Sequence, residues 1–379
     1  MRMKAAVLFE QGLPRPYAVS QPLKLVDVEL DGPGEGEVLV EISAAGLCHS
    51  DLSAISGKRG RPLPTVVGHE GAGRVVELGK DVQTLSLDDH VVTMFVNSCG
   101  CCRYCSDGKV NLCQTSWKSR ANGTLQSGAR RLRFERSDVN HYSGLSTYAE
   151  FAVVSERSLV AIDKSVPLHV AALFGCAVVT GVGAVVNTAK VAPGRSAAVI
   201  GLGGVGLNAL LGLVASGAYP IIAVDINEEK LGLAISLGAS VGFLASEPEV
   251  EAKIKDLTRG GVDYAFEMAG SEPAMKLAYS ITARGGMTVT AGLPDPAKAI
   301  SIPHAALVSD ERRVQGSYMG SCVPLRDIPR FIELYLAGQL PVDRLHTGNL
   351  SFDDLNEGFD KLADGQVVRQ TLIPNAYAS

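Results

Sequence analysis

The segment that most constrains the fold spans residues 196–225 and reads SAAVIGLGGVGLNALLGLVASGAYPIIAVD. An apolar run leads into a glycine-rich turn, a stretch of helical length follows, and a second apolar run ends at Asp225. The turn has G-x-G-x-x-G spacing, and its residues are Gly201, Gly203, Gly204, Val205 and Gly206. This order of strand, turn, helix and strand predicts an α/β fold with a doubly wound parallel sheet.

Each part of this pattern has a physical role in binding a dinucleotide. Gly201 permits the tight turn, Gly203 lets a pyrophosphate approach the backbone, and Gly206 allows the helix to pack on the strand. The helix N-terminus stabilises phosphate charge. Asp225, 19 residues beyond Gly206, can accept hydrogen bonds from both hydroxyls of an adenosine ribose and would repel a 2′-phosphate. The segment therefore favours NAD over NADP; the alternative is a βαβ unit that binds no nucleotide.

The same segment bears on the cellular setting. Residues 196–224 carry no charge, as a membrane helix would, but six glycines and a proline divide the run into shorter elements. The net charge of −5, without a long basic run, argues against nucleic acid and an anionic membrane surface as partners. The start of the chain has no signal-peptide core. We therefore expect a soluble, cytoplasmic protein whose cysteines are metal ligands or free thiols rather than disulfides.

The chain has 379 residues, which exceeds one ordinary core and predicts two domains. Up to about residue 175 the sequence is β-rich, and beyond it strands and helices alternate. Strands are predicted at 37–47, 73–79, 89–95, 146–154, 262–270 and 285–293, and helices at 228–240 and 271–283. Residues 117–144 are polar with little periodicity and predict a long irregular excursion, whereas residues 349–373 predict a helix followed by a strand.

Five of the eight cysteines lie in NSCGCCRYCSDGKVNLC, residues 97–113. The spacing C-x2-C-x2-C-x7-C joins Cys99, Cys102, Cys105 and Cys113. A bacterial ferredoxin run would have three residues in the last gap and a proline after it, so this spacing argues against an iron–sulfur cluster. Four thiolates at such spacing fit tetrahedral zinc with no open position, which is typical of a structural site. Cys101 is either a free thiol or an alternative to Cys102.

Three widely separated residues are candidate ligands of a second metal. Cys48 stands in GLCHSD, His69 in GHEGAG, and Cys176 in LFGCAVVTG. Taken singly, a cysteine is usually packed in a core and a histidine is usually a satisfied polar residue. The residues alone therefore leave open whether they share a site.

The segment GHEGAGRVVELGKDV, residues 68–82, resembles the signature of zinc alcohol dehydrogenases, with Gly73, Gly79 and Val82 at the expected intervals. GLCHSD, GC before TG, GLGGVG, VDIN with Lys230, GGVDYAFE and LSFDDLNEGF also occur in the order of that family. Over essentially its whole length the chain thus resembles the medium-chain, zinc-dependent alcohol dehydrogenases, and NGTLQSGARRLRF resembles their long-chain classes. The resemblance implies a GroES-like, β-rich catalytic domain at 1–177 and 322–379 and a Rossmann NAD-binding domain at 178–321.

The resemblance also implies a catalytic zinc held by Cys48, His69 and Cys176, with a fourth position left open. Zinc would act as a Lewis acid on an alcohol, whose carbon passes a hydride to NAD to give an aldehyde. Asp51 is expected to orient His69 by a hydrogen bond, and Glu70 to approach the metal when the site rearranges.

Other residues fall on positions that contact substrate or cofactor in the family. Ser50 corresponds to the hydroxyl that takes the substrate proton, whereas Ser53 stands where the best-known relay ends in a histidine. The implied cofactor contacts outside the glycine turn are His49, Thr180, Lys230, Leu293 and Arg369. The implied substrate pocket, suited to aliphatic or aromatic primary alcohols, contains Phe95, Trp117 and Tyr318. The family further implies two zinc ions per chain, one of them structural in the four-cysteine cluster, and a homodimer or homotetramer.

Two other functions stay open. GGVDYAFE and GTLQSG also resemble the glutathione-dependent formaldehyde dehydrogenases. Those enzymes grip an anionic glutathione adduct with an arginine four residues past the last clustered cysteine and with acidic residues before G-H-E. Here these places hold Trp117 and the basic run GKRGRP, residues 57–62, which count against glutathione. A zinc-free, non-enzymatic relative is the second alternative, and the three retained ligands argue against it.

Overall fold

The structure is a computed structural model that describes residues 1–375. The strands are β1 (Arg2–Leu8), β2 (Leu23–Leu30), β3 (Glu37–Gly46), β4 (Thr65–Val66), β5 (Ala72–Leu78), β6 (His90–Thr93), β7 (Leu132–Phe134), β8 (Ser137–His141), β9 (Phe151–Ser155), β10 (Leu159–Ala161), β11 (Ala197–Ile200), β12 (Ile221–Asp225), β13 (Val241–Leu244), β14 (Val262–Glu267), β15 (Thr282–Thr290), β16 (Arg313–Gly316), β17 (His346–Leu350) and β18 (Arg369–Leu372). The α-helices are α1 (Tyr17–Ser20), α2 (His49–Ile55), α3 (Arg103–Ser106), α4 (Gln114–Asn122), α5 (Leu168–Ala171), α6 (Ala177–Gly183), α7 (Gly204–Ala215), α8 (Glu228–Ser236), α9 (Val250–Leu257), α10 (Glu272–Ser280), α11 (His304–Ser309), α12 (Pro324–Leu336) and α13 (Leu355–Ala363).

The chain divides into two compact units. The first comprises Met1–Cys176, Val323–Glu333 and the segment from Asp343 onward, and the second comprises Ala177–Cys322 and Leu334–Val342. The predicted catalytic domain, at 1–177 and 322–379, differs from the first unit at Ala177, Cys322 and Leu334–Val342, which all belong to the second unit.

The first unit contains a closed barrel of five strands in the order β1, β2, β7, β8 and β4. The pairs are antiparallel except for β4 with β8, which are parallel. Alternate residues of the strands turn inward, so that apolar side chains such as Val7, Val28 and Val139 form a shared core. This barrel is part of the β-rich domain predicted from the sequence.

A second sheet of the first unit carries the segments that matter for function. Its order is β10, β6, β5, β3, β18 and β17, with β9 also paired to β3. Because β3 has partners along both edges, its sequence EVLVEISAAG is buried over nearly its whole length. Chain segments that leave or enter this sheet beside Gly46, Ala72 and Arg369 therefore come close together.

The second unit is a six-stranded parallel sheet in the order β13, β12, β11, β14, β15 and β16. This order is that of a dinucleotide-binding doubly wound fold and confirms the predicted Rossmann domain. Helix α7 is buried along most of its length because its sequence, GVGLNALLGLVA, is apolar on nearly every side. The uncharged run that could have been read as a membrane helix is thus a buried βαβ unit.

The excursion predicted at 117–144 is more regular than expected. Helix α4 occupies its start, and strands β7 and β8 follow and complete the barrel. The two strands have three and five residues, which is too short for an alternating pattern to show in a largely polar sequence. The strand expected from 146 begins only at Phe151, and the one expected to reach 95 ends at Thr93.

Among residues 1–375 no single helix has both the length and the apolar composition needed to cross a membrane. Only the bent pair Leu168–Gly175 with Ala177–Ala189 meets both criteria when its two helices are taken together.

Candidate functional site

Four buried residues of the first unit bring their side chains together. The ligand atoms of Cys48, His69, Glu70 and Cys176 all lie within 4.8 Å of one another. Cys48 immediately precedes α2, His69 and Glu70 lie in the loop before β5, and Cys176 is the last residue before α6. The three predicted ligands of the catalytic metal are therefore neighbours in space, with Glu70 beside them.

The chemistry of this group fits a metal ion. His69 Nε2 and Glu70 Oε1 are buried without a hydrogen-bond partner and lie 3.8 Å apart. Such buried polar atoms are normally satisfied, and a cation would satisfy both. The hydrogen bond with Cys176 lowers the pKa of the Cys48 thiol well below its ordinary value, with further help from His69, so that at least one sulfur is a ready anionic ligand. Two sulfurs and an imidazole are a ligand set that zinc accepts.

His69 is held in a fixed orientation by a carboxylate. Its Nδ1 lies 2.8 Å from Asp51 Oδ1, and the hydroxyl of Tyr148 donates to Asp51 Oδ2 at 2.9 Å. Burial alone would lower the pKa of His69, but Asp51 and Cys48 raise it well above its ordinary value. When the imidazole is neutral, the bond to Asp51 keeps the proton on Nδ1, and the Nε2 lone pair is then free to bind a metal.

Replacing Asp51 by asparagine is expected to reduce turnover or zinc affinity roughly 10–100-fold, since the charge that supports His69 is lost while the shape is kept. Zinc content and steady-state rates would measure the effect. Tyr148→Phe serves as the matched control, because it removes only the bond to the other oxygen of Asp51 and leaves its charge. A change as large in Tyr148→Phe as in Asp51→Asn would assign the effect to packing instead of charge.

Glu70 is paired with an arginine that was predicted to contact the cofactor. Arg369 Nη2 forms a short hydrogen bond to Glu70 Oε2, and Arg369 Nη1 donates to the carbonyl of Leu47 at 3.1 Å. Burial raises the pKa of Glu70 to about 8, against the opposing effect of Arg369. Arg369 is itself only 3% exposed. Its position beside the group of Cys48, His69, Glu70 and Cys176 is observed, and its contact with a cofactor stays a prediction.

Aromatic rings flank His69 on two sides. The ring of Phe95 meets the imidazole edge-to-face at 5.2 Å, and the ring of Tyr142 lies 6.0 Å away. The hydroxyl of Tyr142 donates to the carbonyl of Ser50 at 3.0 Å, which fixes the start of α2. Ser50 is half-buried, whereas His49 beside it is exposed. The Ser53 hydroxyl donates to the carbonyl of His49 at 2.8 Å, so its proton is engaged within its own helix.

The cysteine-rich loop forms a second group of ligand atoms. The sulfurs of Cys99, Cys102, Cys105 and Cys113 lie within 4.8 Å of one another. The distances are 4.0 Å from Cys99 to Cys105 and 3.6 Å from Cys102 to Cys105. Four sulfurs bound to one zinc at about 2.3 Å would lie roughly 3.8 Å apart, so the group has the size of a closed zinc site. Cys101 is exposed and outside this group.

The second unit carries the glycine turn as predicted. Gly201 has φ +93°, a conformation that favours glycine, and a Cβ on Gly206 would collide with the carbonyl of Gly201. A Cβ on Gly203, by contrast, would meet nothing within 4 Å, which leaves space for a ligand. Asp225 ends β12 and accepts hydrogen bonds from the backbone N–H groups of Leu202 at 2.6 Å and Asn227 at 2.9 Å. These bonds fix the carboxylate beside the turn.

The positions of the other predicted residues do not by themselves indicate a role. Thr180 is buried and its hydroxyl donates to the sulfur of Met319 at 3.7 Å, and Lys230 and Tyr318 are half-buried. Trp117 on α4 is 67% exposed and Leu293 is 55% exposed. Tyr142 and Tyr148 were not among the predicted site residues. Their only signal in the sequence is aromatic character, just before the segment STYAEF for Tyr142 and within it for Tyr148.

Comparison with known proteins gives matches along the whole chain. A family model for the alcohol dehydrogenase GroES-like domain matches residues 34–164, and one for zinc-binding dehydrogenases matches residues 204–337. A Mycobacterium tuberculosis protein provisionally named alcohol dehydrogenase D is 38% identical over 377 residues, covering 98% of this chain and 100% of the relative. S-(hydroxymethyl)glutathione dehydrogenase of Synechocystis sp. is 36% identical over 376 residues, with 98% and 100% covered. The solved structure of benzyl alcohol dehydrogenase from Acinetobacter calcoaceticus is 32% identical, with a TM-score of 0.92 and coverage of 98% and 99%.

Proposed function

The chain belongs to the zinc-dependent, medium-chain alcohol dehydrogenase family of oxidoreductases, and from this premise we propose that it interconverts primary alcohols and aldehydes with NAD(H). The observation that carries the proposal is the buried group of Cys48, His69 and Cys176, in which His69 Nε2 lacks a hydrogen-bond partner. Three such ligands with a further position for substrate are typical of a catalytic rather than a structural zinc site.

The residues of the chain would divide the work as follows. Zinc held by Cys48, His69 and Cys176 would supply a Lewis acid that lowers the pKa of the alcohol, and NAD would accept the hydride. Asp51 holds His69 in place, as its 2.8 Å contact supports. The Ser50 hydroxyl, two residues past Cys48, would take the proton of the alcohol. The hydroxyl proton of Ser53 is engaged with the carbonyl of His49, so we propose that Ser53 does not take over the role of the missing histidine and that water would accept the proton from Ser50.

Steady-state oxidation of a panel of primary alcohols with NAD, followed by NADH absorbance, tests this function. We expect turnover of aliphatic or benzylic alcohols, and reduction of the matching aldehydes by NADH. Metal analysis of the same sample should give two zinc ions per chain. The absence of turnover with every alcohol, in a sample without zinc at Cys48, would reject the proposal in favour of a non-enzymatic relative.

We further propose that NAD is preferred over NADP because of Asp225. Its carboxylate is fixed beside the glycine turn, and a ribose 2′-phosphate there would face a negative charge. Asp225→Asn is expected to raise the KM for NAD roughly tenfold, because hydrogen bonds to a charged group contribute about 1.5–3 kcal/mol, and to narrow the preference over NADP. Initial rates with both cofactors measure this. Glu228→Gln, a charge change on the exposed first residue of α8, should leave both constants unchanged.

For the substrate we propose a primary alcohol with an apolar body. Support comes from Phe95, whose ring lies against His69, and from the solved relative named benzyl alcohol dehydrogenase. The predicted pocket roles of Trp117 and Tyr318 belong to the same proposal. Benzyl alcohol and medium-length alkanols should therefore have higher kcat/KM than methanol or ethanol.

One observation favours a second candidate, the oxidation of S-(hydroxymethyl)glutathione. Trp117 stands where such enzymes place an arginine, but the guanidinium of Arg120, one helical turn later, lies 5.4 Å from the Phe95 ring and 5.5 Å from the Trp117 ring. A cation is thus present near the metal group and could meet an anionic substrate. The relative from Synechocystis sp. carries this activity in its name.

Rates with formaldehyde and NAD in the presence and absence of glutathione separate the two candidates. Comparable oxidation of simple alcohols with or without glutathione supports the general alcohol dehydrogenase. Strict dependence of the rate on glutathione would establish the second candidate. The glutathione-dependent rate should then fall several-fold in Arg120→Gln but not in Arg103→Gln of the cysteine-rich loop.

A further inference from the structure

We propose that Cys101 is a resolving thiol, which converts peroxide oxidation of the four-cysteine cluster into a disulfide with Cys99. Cys101 is exposed and lies outside the group of four ligand atoms, yet its sulfur is 3.7 Å from that of Cys99. A closed tetrahedral zinc site binds four thiolates, so a fifth thiol at this distance is not needed to hold the metal. The inference rests on the zinc site proposed for this cluster, which is independent of the chemistry at Cys48.

The connection between the two cysteines permits a disulfide. Its sulfurs must close from 3.7 Å to about 2.0 Å. The single residue between them is Gly100, at φ +79°, and glycine is the residue that best tolerates a further change of backbone angles. Among the sulfur pairs of the cluster, this one joins a ligand to a thiol that no metal needs. Oxidation of this pair therefore removes one ligand from the site, whereas a bond such as Cys102–Cys105 would remove two.

The chemistry balances with hydrogen peroxide as the oxidant. The thiolate of Cys99 attacks peroxide, the O–O bond breaks, and the products are a sulfenic acid on Cys99 and hydroxide. The thiol of Cys101 then attacks the sulfur of Cys99, an S–S bond forms, the S–O bond breaks, and the oxygen leaves as water with the thiol proton. Two sulfurs together lose two electrons, and these reduce one molecule of peroxide.

The disulfide would leave Cys102, Cys105 and Cys113 as the only thiols of the cluster. Loss of a fourth thiolate weakens zinc binding, because affinity depends on the number of deprotonated ligands. Release of zinc would then loosen the loop 97–113, and a thiol reductant with added zinc would restore it. Cys101 thus makes the damage reversible. Without it, the sulfur of Cys105, 4.0 Å from that of Cys99, is engaged as a metal ligand, so the sulfenic acid on Cys99 would proceed to the irreversible sulfinic acid.

The test uses the full-length, zinc-loaded protein and Cys101→Ser. Cys101 is exposed and no ligand, so the variant should fold and contain as much zinc as the wild type. Both are treated with increasing hydrogen peroxide. Zinc release is followed with a chromogenic chelator, and cysteine states are assigned by peptide mass spectrometry before and after a thiol reductant.

In the wild type we expect a Cys99–Cys101 disulfide that appears when zinc release begins and disappears on reduction. In Cys101→Ser we expect that reduction no longer restores zinc binding and that Cys99 is present as the sulfinic acid. Three results would overturn the proposal: lower zinc content in untreated Cys101→Ser, which would make Cys101 a ligand; zinc release in the wild type while Cys101 stays a free thiol; or equal recovery of both proteins.

Discussion

Replacement of Cys176 by alanine is expected to lower kcat/KM for alcohol oxidation by about three orders of magnitude or more, since a metal Lewis acid contributes several kcal/mol to the transition state and about 1.4 kcal/mol corresponds to a tenfold rate. The buried group consists of the three predicted ligands, Cys48, His69 and Cys176, and the carboxylate of Glu70. Removing one sulfur leaves Cys48 and His69, which hold zinc poorly. The variant should therefore also lose one zinc per chain.

Two measurements separate loss of chemistry from loss of fold. We expect NADH to bind mainly through the second unit, where Gly201 and Asp225 lie, so its binding should be retained in Cys176→Ala. Cys322→Ala replaces a cysteine that is also buried, at 1% exposure, but belongs to neither ligand group, and it should keep both zinc and turnover. Activity of Cys176→Ala within tenfold of the wild type, with one zinc lost, would contradict the assignment of the catalytic site.

Local patterns account for what the sequence could predict about this site. The glycine turn was predictable because strand, turn, helix and acid follow one another within 30 residues, from 196 to 225. The four-cysteine group was predictable from spacing within 17 residues, from 97 to 113. The grouping of Cys48, His69 and Cys176 was not, because no short-range pattern joins them, and it followed only from resemblance to a family.

The contacts that complete the site escaped prediction for the same reason. Tyr148 and Asp51 are 97 positions apart, and Arg369 and Glu70 are 299 apart. Asp51 lies on helix α2, Tyr148 and Glu70 lie outside the strands, and Arg369 begins β18, so each pair is brought together by the tertiary fold rather than by a pattern within one segment. Arg369 is instructive, because the resemblance implied a cofactor contact, which stays a prediction, and gave no sign of the buried carboxylate against which the structure places its charge. A buried carboxylate without such a partner would be strongly destabilising.

The second large effect is expected from Cys102→Ser in the cysteine-rich loop. Within residues 97–113 only Asn97 and Cys113 are buried, and regular structure is limited to α3 and a three-residue 3-10 helix. Apolar burial therefore cannot hold this loop, and we infer that a metal does. Zinc bound by structural sites contributes about 10–16 kcal/mol in small peptides, so loss of one ligand should cost several kcal/mol. The temperature of aggregation should fall by roughly 10 °C.

Cys101→Ser provides the matched control, since it makes the same chemical change in the neighbouring residue, which lies outside the four-atom group. We expect Cys102→Ser to contain one zinc fewer than Cys101→Ser and to aggregate at lower temperature, while its initial turnover in the cold stays close to that of the wild type. We expect this order because we propose that the metal of the loop holds structure, whereas the chemistry is proposed for Cys48, His69 and Cys176. Equal thermal stability of the two variants, with no more than one zinc per chain in either, would show that the cluster binds no structural metal.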